Sequence, residues 1–164
     1  MRKGLLLIMA FAIVFSFSAC KKDESGNNVT LTGGVSYAGT YKGTYTYFKY
    51  VDDQEVQDGE PQGDKSVPVT QLTDNQIYLY GVLPLTKVSE GKFATSALSG
   101  ELLQMLFQAI GLSDNIASQA KNVSFEAVFT GTNHMSYRLY YELEISSVVG
   151  ISIDVNILKF EGDK

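Results

Sequence analysis

His134 is the chain's one imidazole and Cys20 its one thiol, and there is no tryptophan. Nucleophilic or general-base catalysis needs a nucleophile, a base and an orienting acid within hydrogen-bond reach. No Gly-x-Ser-x-Gly elbow, His-Glu-x-x-His or Cys-x-x-Cys occurs to supply such a set. His134 follows Asn133 in what reads as a hairpin turn, so a solvated loop histidine is expected. Carboxylates are more plentiful. Glu126, Glu142, Glu144 and Asp154 lie on the polar parity of the last three strands, with Arg138 among them. A glycosidase would need two acids roughly 5–10 Å apart in a cleft; cross-strand pairing with Arg138 instead reads them as a solvated sheet face. Asp52, Asp53, Glu55, Asp58, Glu60 and Asp64 crowd one hydrophilic stretch. Among them Asp53, Glu55, Asp58 and Asp64 are candidate calcium ligands, because calcium takes about six to eight oxygens. Their spacing departs from an EF-hand loop, and exposed acids commonly serve solubility. The expectation is therefore no enzyme, no resident metal and no cofactor.

Aromatic residues are the stronger signal. Ten Tyr and nine Phe fit β-sheet usage, where most rings pack in the core or across strands. Tyr47, Phe48, Tyr50 and Tyr140 are candidates for an exposed aromatic surface, with Arg138 as a polar partner. Such a surface stacks on sugars or on partner proteins.

Composition bounds what these residues can be attached to. The chain has 164 residues, with 13 basic against 18 acidic side chains and a net charge of −5. That length fits one compact domain with appendages, and 45% apolar content can bury a core. The acidic balance argues against nucleic acid, whose phosphates need clustered Lys and Arg. Arg2 and Lys3 precede a charge-free apolar run over residues 4–17. A bilayer core of about 30 Å takes roughly twenty helical residues, so the run is too short to span and suits an export signal. Ser18-Ala19-Cys20 closes it. This resembles a bacterial lipobox, in which a diacylglycerol joins the cysteine thiol and the preceding segment is removed. Phe17 stands where the commonest lipoboxes carry Leu, a departure similar to lipoproteins of Bacteroidetes-like bacteria. The resemblance implies a signal peptide over residues 1–19, lipidation at Cys20 and an outer-membrane anchor. Each buried methylene contributes about 0.8 kcal/mol, and two or three chains anchor durably where one does not. Residues 20–34 read as the anchor and a flexible tether, with Lys21-Lys22-Asp23-Glu24 followed by Ser25-Gly26-Asn27-Asn28. Mixed charge just after the lipid site is similar to Bacteroidetes surface-export signals, which implies a cell-surface orientation.

Residues 35–164 read as a single β-rich domain. Tyr37, Tyr41, Tyr45 and Tyr47 share one parity, and Thr40, Lys42, Thr44 and Thr46 the other, over residues 37–51. That period of two predicts a half-buried strand, and Gly39 and Gly43 on its tyrosine face mark a bend or a close backbone approach. Residues 52–65 look like a long hairpin loop. Residues 66–72 form a short strand placed at an edge by Pro68, and residues 77–83 form a third strand. The period then changes. Leu98, Leu102, Met105, Leu106 and Ala109 fall on one helical face, with Leu103, Phe107 and Ile110 as a second apolar row. Ser96 or Ser99 caps the start and Gly111 the end, and Ser113 starts a shorter helix. Three alternating strands follow as a meander, with turns at residues 130–133 and 146–147. Their core-facing sets are Val123, Phe125, Ala127 and Phe129; Met135 to Ile145 on odd numbers; and Val149, Ile151, Ile153, Val155 and Ile157. The fold class is α+β, mainly antiparallel β. About six strands make a strongly curved sheet or partly open barrel, with a two-helix insert between strands three and four at about 96–121.

The opening strand, Ala-Gly-Thr-Tyr-Lys-Gly-Thr over residues 38–44, resembles the calycin-like and uncharacterised lipoprotein families of Bacteroidetes. Gly39-Thr40-Tyr41 stands where lipocalin-type chains carry Gly-x-Trp. The resemblance implies structural roles for Gly39 and Tyr41, the aromatic packing the closed end of a barrel, and a host-associated setting. The expected function is a non-catalytic, lipid-anchored binding module for a glycan or small apolar ligand. A structural or inhibitory lipoprotein docking on an envelope protein through its apolar helix is the alternative.

Overall fold

A computed structural model describes residues 34–95, 98–148 and 150–164. The signal segment, Cys20 and the tether up to residue 33 lie outside the described residues, as do Ser96 and Val149. The elements in order are β1 (Gly39–Val51), β2 (Gln54–Gln57), β3 (Gln62–Thr73), β4 (Gln76–Leu79), β5 (Leu83–Ser89), β6 (Lys92–Thr95), α1 (Gly100–Ile110), α2 (Asp114–Gln119), β7 (Ala120–Thr130), β8 (His134–Ser147) and β9 (Gly150–Asp163). One antiparallel sheet contains all nine strands, in the order β2-β1-β3-β4-β5-β6-β7-β8-β9. Because β1 also pairs with β9, the sheet is ring-like, though not a barrel.

Several expectations are corrected. Among the described residues there are nine strands, not about six, and the helical insert falls between the sixth and seventh. Residues 52–65 hold β2 and the start of β3 rather than a plain loop, and residues 77–83 are split at Tyr80 into β4 and β5. Tyr80 takes a left-handed φ of 55°, followed by Gly81 at 71°, which turns the chain back. Pro68 is not on an edge strand: it pairs with Thr40 of β1, and its carbonyl accepts from Tyr80 N–H at 2.9 Å. N–H and C=O of a strand residue point to the same neighbour, so the missing donor of Pro68 faces the end of β4. The proline is tolerated there because the ladder stops. Finally, β8 runs to Ser147, so the hairpin turn lies beyond the serines.

Side chains fill the ring. Tyr37, Tyr41, Tyr45, Phe93, Phe125, Phe129, Tyr137 and Phe160 are all buried in one cluster. Tyr137 stacks on Phe160 at 5.3 Å and Tyr45 meets Phe160 edge-on at 5.7 Å; such pairs contribute about 0.5–1.5 kcal/mol beyond their buried area. Their hydroxyls need partners, and Tyr80 supplies them, lying 2.6 Å from the Tyr45 oxygen and 2.9 Å from that of Tyr137. Gln71, the one buried polar residue among those described, pins the entering chain. It accepts from Tyr37 N–H at 2.7 Å and donates to the Val35 carbonyl at 3.4 Å. Tyr41 is fully buried at the same end, its hydroxyl 3.0 Å from the Tyr37 carbonyl and 3.2 Å from that of Thr132.

The helix closes the opposite end. Leu103, Leu106, Phe107 and Ile110 are buried, Leu98 and Ala117 join them, and Phe107 meets Tyr141 edge-on at 5.2 Å. The second apolar row is thus the core row, while Met105 is exposed and Leu102 only partly covered. Gly111 ends α1 at φ 83°, its N–H and that of Leu112 returning to the Gln108 and Phe107 carbonyls. Ser99 is the N-cap by position but makes no side-chain bond, whereas Ser113 caps α2 by accepting from Ile116 N–H.

The isoleucine run of β9 is also corrected. Leu139 pairs with Leu158 and Tyr137 with Phe160, so even-numbered β9 residues face inward. Ile151 and Ile153 are 68% and 62% exposed on the outer parity. With Ile145 and Val148 they decorate a ribbon where β8 and β9 extend past β1.

Candidate binding face on the outer sheet

Antiparallel register places directly opposed residues on the same face, so the outer surface of β1, β9, β8 and β7 can be read in rows. One row is Phe48, Ile157 and Tyr140; the next is Thr46, Lys159, Arg138 and Glu126; a third is Thr44, Glu161, Ser136 and Val128. Tyr50 follows Phe48 on the same parity, and β2 brings Glu55 opposite Tyr50. Ile157 is fully buried between its two aromatic neighbours. The structure therefore brings Phe48, Tyr50, Tyr140 and Arg138 together on one face. A hollow of about 510 Å³ is lined there by Thr44, Thr46, Phe48, Ser136, Arg138 and Lys159, among others. A second hollow, of about 500 Å³, lies across Arg138 and Glu126 toward Ala94, Ser124 and Tyr140. Both are open grooves on the sheet surface rather than enclosed cavities.

The polar groups are ordered by pairing. Arg138 does not bond its register partner Glu126, contrary to the strand-acid expectation. It donates through Nη2 to Glu55 at 2.5 Å, and Lys159 Nζ reaches the other Glu55 oxygen. The Tyr50 hydroxyl stands 3.5 Å from both Glu55 and Arg138. The Lys159 bond, more than any other partner, holds the Glu55 carboxyl below the usual carboxylate range. Lys159 also lies 4.2 Å above the Phe48 ring, a cation–π contact. Tyr140 donates to Glu142 at 2.6 Å, and that bond, with burial second, pushes its hydroxyl up to about 12.

The remaining candidates fall elsewhere. Glu126 pairs with Lys92 at 2.8 Å, Glu142 accepts from Asn122 at 2.6 Å, and Glu144 pairs with Lys121. Asp154 is opposite Leu143, off the parity expected for it. Of the calcium candidates, Glu55 is engaged as above and Asp58 pairs with Lys49 at 2.8 Å. Asp53 and Asp64 sit at left-handed φ of 60° and 56°. Among the described residues no three His, Cys, Asp or Glu converge as a metal group. His134 opens β8 rather than sitting in the loop, its Nδ1 2.8 Å from Asp163 and its Nε2 3.6 Å from Glu161. Gly43 lies opposite Gly162 where β1 and β9 close the ring, and Gly39 has φ 146°.

Lys159 escapes sequence reasoning, although a signal is present. It continues the parity of Ile151 to Ile157, and a lysine there argues that this parity faces solvent.

No family model matches the chain. No curated protein matches it either. A solved structure, that of an auxiliary nutrient binding protein from Bacteroides thetaiotaomicron, is similar to it at 14% identity and a TM-score of 0.29. The likeness covers 79% of this chain and 46% of that one, so the chain spans under half of that protein's length.

Proposed function

We propose that this chain is a non-catalytic binding module that takes a glycan on its outer sheet face, held to the outer membrane by lipid on Cys20. The observation that carries the reading is the convergence of Phe48, Tyr50, Tyr140 and Arg138 beside hollows lined with hydroxyls. Aromatic faces offer apolar stacking, while Thr44, Thr46 and Ser136 offer hydrogen bonds, a mixture suited to sugar rings. A small apolar ligand is the poorer fit, because the ring interior is filled by core side chains. Docking through the helix loses its surface, because Leu103, Leu106, Phe107 and Ile110 are spent on the core.

Calorimetric titration against a panel of neutral and acidic oligosaccharides tests the site. Tyr140→Ala and Tyr50→Ala are each expected to weaken a binding saccharide about tenfold or more, as truncated aromatic hot spots do, in chains that circular dichroism shows still folded at the titration temperature. No binder in the panel, or affinity indifferent to both changes, would sink the assignment. The anchor is tested separately. Intact mass of the exported protein should carry acyl chains on Cys20, and an unmodified thiol would remove the membrane from the reading.

A further inference from the structure

Resting on the outer face as a binding site, we propose that its ligand is a saccharide bearing a carboxylate, and that Glu55 occupies the carboxylate position until the ligand arrives. Arg138, Lys159 and the Tyr50 hydroxyl all aim at the one Glu55 carboxylate. Two cations and a phenol are the donors that a buried or half-buried carboxylate wants, with Arg able to engage it in a planar fork. The cradle and its occupant differ in how they are held. Arg138 and Lys159 are register partners on β8 and β9, long strands paired on both sides at this point. Glu55 rides on β2, a four-residue strand that ends the strand order and is bonded to β1 alone. This strand joins β1 through a two-residue turn, Asp52 and Asp53 at φ 51° and 60°. The receptor groups sit inside the paired sheet, and the group filling them rides on its margin.

The surroundings select the rest of the ligand. Hollows open on both sides of Arg138, so an extended molecule can cross it with its charge at the centre. Phe48 and Tyr140 flank that centre in the adjoining row, and Thr44, Thr46 and Ser136 provide hydroxyls beyond it. Glu126 and Glu161 share the face, Glu126 beside Lys92 and Glu161 with its carboxylate 3.6 Å from the His134 ring. Those acids disfavour a dense polyanion, as does the net charge of −5, and leave room for one carboxylate among uncharged rings. Glu55 competes as an intramolecular ligand at high effective concentration, so removing its charge should uncover the site.

Titration of the full chain with xylotriose bearing a single glucuronic acid, and with the methyl ester of that saccharide, tests this, since the two differ only in the masked charge. The acid is expected to bind at least about tenfold more tightly than the ester. Glu55→Gln should tighten the acid about tenfold more and leave the ester unchanged. Arg138→Gln and Lys159→Gln should each erase the preference for acid over ester, which keeps the test decisive should Glu55→Gln fail to fold. An ester that binds as well as the acid, or a Glu55→Gln chain that folds and gains nothing, overturns the proposal and leaves the glycan reading intact. If no saccharide of the wider panel binds at all, both fall together.

Discussion

Gly43→Val is expected to leave no stable folded domain. Gly43 sits in β1 with Lys65 of β3 on one side and Gly162 of β9 on the other. A Cβ built on it would stand 2.5 Å from the Gly162 Cα, with the Glu161 carbonyl oxygen nearer still. The obstacles are backbone, so no rotamer change can relieve them. Gly162 is hemmed in reciprocally, its own Cβ position 2.6 Å from the Lys42 carbonyl oxygen. Valine must therefore push β1 and β9 apart at the seam that turns an open sheet into a ring. Opening the seam also parts Tyr45 from Phe160 and Tyr137, rings that pack across it. A cost above about 4–5 kcal/mol, in the far tail for single substitutions, would consume most of a typical net stability of about 5–15 kcal/mol. Far-ultraviolet circular dichroism during heating and urea unfolding reads this directly. Gly63→Ala is the control, because its Cβ would meet nothing within 4 Å, and it should shift stability by no more than about 0.5 kcal/mol. A Gly43→Val protein melting within a few degrees of the parent would mean that the strands do not close as described.

What the chain discloses before folding follows from how many residues report on each face. β1, β7 and the first part of β8 alternate long enough for Tyr37, Tyr41, Tyr45, Phe125, Phe129, Tyr137 and Leu139 to be read as core, and all are buried. β2 and β6, at four residues each, show only two side chains per face, too few for a period to emerge. The helix misled through abundance: with two apolar rows, periodicity cannot say which one meets the ring, and packing of Phe107 on Tyr141 decides. The isoleucines of β9 misled because their alternation is real but marks the outer face, where the ribbon passes β1 and no core exists. At the candidate site, Phe48, Tyr50, Tyr140 and Arg138 are recoverable from parity and type. Their joining through Glu55 is not, because it requires knowing that β2 folds back on β1 and that β1 closes on β9.

The interior phenols make a second large effect, in alkali. Burial pushes the hydroxyls of Tyr37, Tyr41 and Tyr141 up to about 12, with the Glu90 carboxylate adding to the Tyr37 shift. Burial drives Tyr137 and Tyr80 further in the same direction; Tyr45 reinforces both and Tyr80 reinforces Tyr137, while the hydrogen bond with Tyr137 offsets part of the Tyr80 rise. A tyrosine in the unfolded chain ionises near pH 10. The folded state therefore keeps protons that the unfolded state releases. Its stability is fully present below about pH 10 and falls as pH rises through the folded values. Each such phenol removes roughly 1 kcal/mol per pH unit in that window. The three at about 12 together remove roughly 3 kcal/mol by pH 11, and Tyr137 and Tyr80 add to the loss, against a domain's net stability of about 5–15 kcal/mol. A cooperative alkaline unfolding is expected between about pH 10 and 12, with tyrosinate absorbance and loss of circular dichroism rising together. Tyr141→Phe removes one titrating group from the core and should move the midpoint upward. Phenols that ionise one by one while the β-sheet signal stays constant to about pH 12 would show that water reaches them, and that the ring is not packed as its side chains indicate.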